Sequence, residues 1–200
     1  MKDCCDFAEV PARQRWVLLV VLWINTAMFL AEFIAGLLAQ STALLADSVD
    51  MLGDAIVYGF SLYVVGRPAI WQARAALLKG VLMAAFGVGL LVQVTYKVVS
   101  GVVPAADVMG GVGLLALAAN VFCLFLLWRR RADDINMQSA WLCSRNDVVA
   151  NCGVLVAAAA VALTGSMWPD IVVGLAITAL FGTSAAGVIR RARQAISTAR

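Results

Sequence analysis

The chain has 200 residues, of which 63% are hydrophobic and 14% charged, and its mean hydropathy is +0.92. This composition lies far outside that of a soluble domain and predicts an integral membrane protein, whose first partner is the lipid bilayer. The net charge of +3 does not indicate a nucleic-acid partner, because the basic residues are distributed as membrane topology requires.

Six apolar stretches are each long enough, at about 20 residues, to cross the hydrocarbon core as a helix. We predict these helices at Trp16–Ala39, Leu44–Val65, Ala75–Tyr96, Val108–Trp128, Met137–Leu163 and Trp168–Ile189. The predicted fold is therefore an all-α membrane protein with an N-terminal segment (1–15), a six-helix transmembrane domain (16–189) and a short basic tail (190–200). The first stretch lacks a small-residue cleavage pattern, so we expect a retained helix and not a signal peptide.

Lysine and arginine residues orient the predicted helices, because cytoplasmic loops retain positive charge. They cluster before the first helix, around the second and fourth connections, and in the tail. The odd-numbered connections carry only Lys97. Both termini are therefore predicted to be cytoplasmic.

Three acidic residues interrupt the second apolar stretch, at Asp47, Asp50 and Asp54. A carboxylate near the middle of a bilayer costs roughly 2.5–3.5 kcal/mol, so such residues usually face a bundle interior or an ion pathway. Their spacing puts all three on one helical face, and Asp50 and Asp54 are close enough to bind one small cation. The alternative is that these groups only hydrogen-bond between helices, which amides or hydroxyls would do at lower cost.

A small divalent cation normally takes four ligands, so a second helix has to supply the others. In the fifth stretch Cys143 and Asp147 are again four residues apart. If the two helices cross at this level, they form a site of three oxygen ligands and one sulfur ligand, from Asp50, Asp54, Cys143 and Asp147. Such ligands suit zinc or cadmium, and the thiolate favours the softer ion. The alternative for Cys143 is a small apolar packing residue.

The segment 41–54, STALLADSVDMLGD, resembles the second helix of the cation diffusion facilitator family of metal/proton antiporters. In that family a His or Asp, and a second Asp four residues later, bind the transported metal; Asp50 and Asp54 match these positions. The fifth helix of the family usually has a His or Asp four residues before an Asp. Asp147 matches the second of these positions, and Cys143 takes the place where many members have His. The resemblance covers nearly the whole chain.

Three features depart from the family pattern. Many members carry a cytoplasmic metal-binding domain after the sixth helix, which helps to hold a dimer together, and we expect a short form without it. The connection RPAIWQAR at 67–74 has neither the His nor the Asp of a further family site. The chain also contains no His, so the metal selectivity of His-containing members does not carry over.

The resemblance implies a divalent metal efflux transporter, for zinc or cadmium, in a bacterial inner membrane. Metal binding requires deprotonated ligands, so the expected mechanism is metal/proton antiport, with a divalent metal ion and protons as partners. No cofactor and no enzymatic activity are expected, and small residues in the helices would allow a homodimer. Two alternatives stay open: a membrane metal sensor or subunit that does not transport, and an intramembrane metal-dependent transferase, whose longer Asp-Gly pattern is missing.

Other polar residues have two interpretations each. Asp47 either guides ions or protons or caps the start of the second helix. Glu32 is either a proton relay or a structural hydrogen-bonding group. Arg145 is predicted to point away from the site, because a cation there would oppose metal binding. Cys4 and Cys5 lack the two-residue spacing of zinc motifs and have no assigned role.

Overall fold

The computed structural model describes residues 12–63, 69–129 and 135–198. These residues form six helices: α1 (Ala12–Ala39), α2 (Thr42–Tyr63), α3 (Ala69–Ser100), α4 (Ala106–Trp128), α5 (Ile135–Thr164) and α6 (Trp168–Thr198). The predicted all-α class is confirmed. α6 continues beyond the predicted end of its span, so most of the basic tail is helical. Cys4 and Cys5, the N-terminal segment before Ala12 and the connection at 64–68 lie outside the described residues.

α2 occupies the interior of the bundle. α1 packs along α2, α3 along α6 and α4 along α5, while α2 also contacts α3, α5 and α6. Residues 41–49 are all buried, and the large hydrophobic side chains exposed on the surface include none from the described part of α2. The helix that carries the three acidic residues is therefore shielded from lipid by its neighbours, as charged groups at membrane depth require.

Within the described ranges, five helices are long and apolar enough to cross a membrane, over Arg15–Ala39, Ala76–Ser100, Ala106–Trp128, Ala140–Thr164 and Trp168–Gln194. α2 is not among them, because its three carboxyl groups lower its apolar character. Its 22 residues nevertheless extend about 33 Å, which is enough to cross the hydrocarbon layer. The chain is a multi-pass membrane protein in which the helix that carries three acidic residues packs against four other helices.

Asp170, in the first turn of α6, holds the connections at one end of the bundle together. Its carboxylate accepts hydrogen bonds from Ser41 Oγ at 2.6 Å and from the backbone N–H groups of Thr42 at 2.8 Å and Ala43 at 3.1 Å. It also forms a salt bridge with Lys97 Nζ, at the end of α3, at 2.5 Å. The carboxylate thus caps the N-terminus of α2, where unpaired N–H groups and the helix dipole favour negative charge. We call these five residues the Asp170 network.

Lys97 is buried within this network, at 2% exposure. Its Nζ also donates to the carbonyl oxygen of Gln40 at 2.6 Å. Gln40 has a φ of 54°, a left-handed conformation that glycine usually provides at this position of a helix end. Hydrogen bonds from the N–H groups of Gln40 and Ser41 back to the last turn of α1 complete a Schellman motif. The Lys97 charge belongs to a buried pair and not to an exposed loop, which explains the exception in the predicted topology.

Removing the Lys97 charge would leave the Asp170 carboxylate buried and partly uncompensated. We expect Lys97→Met to lower the free energy of unfolding by about 3–5 kcal/mol, the usual cost of breaking a buried ion pair from one side. Arg193→Met removes an exposed positive charge from α6 and should change stability by about 0.5 kcal/mol or less. Denaturant unfolding in detergent measures both; equal losses would contradict a structural role for the pair.

Gly174 allows α6 to approach the start of α2. A Cβ at this position would lie 2.7 Å from Thr42 Cγ2 and 2.8 Å from the Thr42 carbonyl carbon, so Gly174→Ala would displace backbone. We expect a loss of about 1–3 kcal/mol in the free energy of unfolding. Gly182→Ala, in the same helix, meets nothing within 4 Å and should be neutral or slightly stabilising. Thermal unfolding of the two variants tests this contact, and an unchanged Gly174→Ala variant would exclude it.

Candidate metal site

The predicted ligands lie on α2 and α5, which pack against each other. The carboxyl groups of Asp50 and Asp147 are hydrogen-bonded to each other. Asp54, Cys143 and Asp147 are buried, and Asp50 is half-buried. Among the described residues, no group of three or more His, Cys, Asp or Glu side chains is arranged to hold a metal ion. The acids of α2 and α5 therefore lie close together in the interior of the bundle, with Asp54 and Asp50 both near Asp147.

The contact between Asp50 and Asp147 requires a proton, because two ionised carboxylates offer only hydrogen-bond acceptors. The proton also avoids two like charges in contact inside a low-dielectric interior. Asp54 and Asp47 lie close enough to Asp147 to add to this electrostatic repulsion. This part of the interior can therefore be neutralised either by protons or by a bound cation.

Asp54 is oriented by a tyrosine one turn further along α2. The hydroxyl of Tyr58 donates a hydrogen bond to Asp54 Oδ2 at 3.0 Å. The same hydroxyl lies 3.5 Å from the carbonyl oxygen of Ala140 on α5. Tyr58 is buried, at 2% exposure. The sequence analysis did not identify Tyr58, although its spacing of four residues from Asp54 could have indicated this contact.

Cys143 has a different state from the one expected of a metal ligand. It is buried and its sulfur is in a disulfide bond, whereas Cys123 and Cys152 are free cysteines. Only a thiolate binds a metal ion tightly, so the bond has to be reduced before Cys143 can serve as a ligand. The oxidation state of Cys143 therefore decides whether three or four of the predicted ligands are available to bind a metal ion.

Amide and hydroxyl groups next to the acidic residues connect α5 to α4 and α4 to α2. Asn151 Nδ2 donates to the carbonyl oxygen of Asp147 at 2.9 Å. Ser144 Oγ lies 3.4 Å from the carbonyl oxygen of Asn120, whose side-chain amide lies 3.9 Å from Met51 Sδ. The Asn151 bond lies within α5, whereas the Ser144 and Asn120 contacts join neighbouring helices, as polar side chains in membrane bundles often do.

Comparison with known proteins decides the family. Residues 18–69 and 71–197 match the family model of the cation efflux transmembrane domain. The chain belongs to the cation efflux family. It is 26% identical to the zinc transporter ZitB of Yersinia pestis over 181 aligned residues. This alignment covers 84% of this chain and 58% of that protein. It is 23% identical over 179 residues to the metal cation efflux system protein CzcD of Cupriavidus metallidurans, covering 84% of this chain and 57% of that protein. The chain thus spans less than two thirds of the length of these relatives.

This cation efflux chain contains two further buried acids, Glu32 on α1 and Asp47 on α2, both at 0% exposure. Within the described ranges their four carboxyl oxygens have no hydrogen-bond partner, so the structural hydrogen bond considered for Glu32 is not present there. Asp47 does not cap α2. That role belongs to the Asp170 network and to Ser41 Oγ, which accepts from the backbone N–H three residues along at 3.1 Å. Both acids lie close enough to Asp50 to feel its charge, so carboxyl groups continue from the site into the α1–α2 interface.

Arg145 points away from the acids, as predicted. Its side chain is exposed, and its guanidinium lies over the ring of Trp141, 5.6 Å from the ring centroid. The Trp141 ring in turn packs edge-on against Trp128 of α4, with 5.9 Å between centroids. The positive charge therefore lies on the outside of the bundle, where it does not compete with a cation in the interior.

Proposed function

We propose that this chain is a divalent metal cation efflux transporter that exchanges zinc or cadmium for protons. The contact between Asp50 on α2 and Asp147 on α5 carries this proposal. Ionisable oxygens from two helices meet around a shared proton, and a divalent ion can only be bound by deprotonated ligands, so metal binding releases the proton. The relatives named as a zinc transporter and a metal cation efflux system support this choice of cargo.

Four residues are proposed as metal ligands. Asp50 and Asp147 already lie in contact, Asp54 lies near Asp147, and Cys143 would contribute as the reduced thiol. Three carboxylates and one thiolate suit the tetrahedral coordination of zinc or cadmium. Without metal these groups would place up to four negative charges in a low-dielectric interior, so protonation of the empty site is part of the proposal.

Transport requires this site to open alternately to the two sides of the membrane. In the proposed orientation both termini are cytoplasmic, and the Asp170 network lies at the outer end of the bundle. An inward-facing site would release protons and take up metal from the cytoplasm, and an outward-facing site would do the reverse. The proton gradient across a bacterial inner membrane would then drive metal efflux.

Loss of one proposed ligand should abolish coupled flux. In proteoliposomes with an imposed pH gradient and a zinc-sensitive dye, we expect Asp54→Asn to lower the zinc transport rate by at least about 100-fold, because the ligand loses its charge. Asp107→Asn makes the same chemical change at an exposed position in the first turn of α4 and should transport at the native rate.

Two outcomes of this assay would contradict the proposal. Metal binding by the native protein without flux would favour a membrane metal sensor over a transporter. Equal rates for Asp54→Asn and Asp107→Asn would remove Asp54 from the site. Opposing proton movement, followed with a pH-sensitive dye, separates antiport from uniport.

Sulfur ligation by Cys143 can be tested through metal selectivity. Under reducing conditions, Cys143→His should lower the cadmium-to-zinc rate ratio by about tenfold, equivalent to ~1.4 kcal/mol of differential binding, because imidazole is a harder ligand than a thiolate. Cys152→Ser changes an exposed, free cysteine on the same helix and should leave the ratio unchanged. An unchanged ratio in Cys143→His would make Cys143 a packing residue.

A further inference from the structure

We propose that Tyr58 is a positioning residue for the metal site, which fixes the orientation of the Asp54 carboxylate relative to α5. The inference rests on the proposed function, since it gives Asp54 the role of a metal ligand. Its basis is geometric. The hydroxyl of Tyr58 donates to Asp54 Oδ2 at 3.0 Å, and both side chains are buried, at 2% and 4% exposure.

The hydrogen bond restricts which oxygen of Asp54 can approach an ion. A carboxylate can bind a cation through one oxygen or through both. With Tyr58 donating to Oδ2, binding through Oδ1 alone is favoured, because binding through both oxygens would compete for the lone pairs of Oδ2. Single-oxygen ligation suits the four-coordinate geometry of zinc, whereas larger, harder ions such as calcium take six to eight oxygens and often use both oxygens of a carboxylate.

Tyr58 also connects the proposed ligand Asp54 to the neighbouring helix α5. Its hydroxyl has one proton and two acceptors within reach, Asp54 on α2 and the carbonyl oxygen of Ala140 on α5 at 3.5 Å. Because a hydroxyl donates only one hydrogen bond, the shorter contact to Asp54 takes the proton here. A shift of α5 relative to α2 would change the balance between these two acceptors and so the orientation of Asp54.

The packing of the Tyr58 ring restricts the orientation of the Asp54 carboxylate. Tyr58 lies in a buried apolar cluster with α1 and α4 side chains, including Leu18, Cys123 and Leu127. A tyrosine with a fixed ring delivers its hydroxyl to one place, so the carboxylate it contacts loses little additional side-chain freedom when it binds an ion. Tyr58→Phe would remove the hydroxyl and leave the ring packing intact.

The test compares Tyr58→Phe with Tyr96→Phe, which makes the same change at an exposed position on α3. In zinc-flux assays we expect Tyr58→Phe to raise the half-saturating zinc concentration by about 10–100-fold, the usual effect of removing a hydrogen bond to a ligand, with a smaller change in maximal rate. Tyr96→Phe should retain the native affinity. Zinc should also raise the thermal midpoint of Tyr58→Phe less than that of the native protein at equal concentration.

The outcomes separate this inference from the proposed function. If Asp54→Asn abolishes flux while Tyr58→Phe keeps the native half-saturating concentration and the native zinc-induced thermal shift, the transporter proposal stands and the positioning role fails. A lower thermal midpoint with unchanged zinc affinity would likewise reduce Tyr58 to a structural residue. If Asp54→Asn retains native flux, the site assignment itself fails before Tyr58 is considered.

Discussion

Carboxyl groups at membrane depth have to be kept from lipid, and the arrangement of the whole bundle follows from that constraint. Each such group costs roughly 2.5–3.5 kcal/mol when it is exposed to the hydrocarbon core. The helix with three of them, α2, therefore lies inside and contacts four of the other helices. The remaining helices supply the apolar surface that faces the membrane. Their hydrophobic side chains thus separate α2 from the lipid.

The buried acids other than the proposed metal ligands fall into two groups with different physical roles. Asp170 has three hydrogen-bond donors and one ammonium partner, and such a fully satisfied carboxylate fixes a unique local structure. Glu32 and Asp47 have none of these partners within the described ranges, and unsatisfied polar groups are costly in a protein interior. Proteins retain such energetically unfavourable groups mainly where function requires them. The first group defines the end of the bundle, and the second adjoins the proposed transport site.

Local patterns in the sequence predicted the helices and the acidic residues that distinguish α2 from the other helices. Hydropathy and helical period depend on neighbours within a few turns, so they identified Asp50 and Asp54 and the matching face of α5. The partner of Lys97 is 73 residues away, and no local pattern selects it, so Lys97 looked like an exception to the charge rule. Tyr58 was missed for a related reason, since its apolar ring fitted the expected pattern of a membrane helix. The disulfide of Cys143 depends on oxidation state, which spacing does not reveal.

The Asp170 network also has a consequence for how the protein is made. Ribosomes deliver the helices in chain order, so α3 enters the membrane with the Lys97 ammonium before α6 and its carboxylate have been synthesised. Until then the capping groups at the start of α2 lack their acceptor as well. This end of the bundle therefore cannot close before α6 has been inserted, and until then the Lys97 ammonium lacks its carboxylate partner.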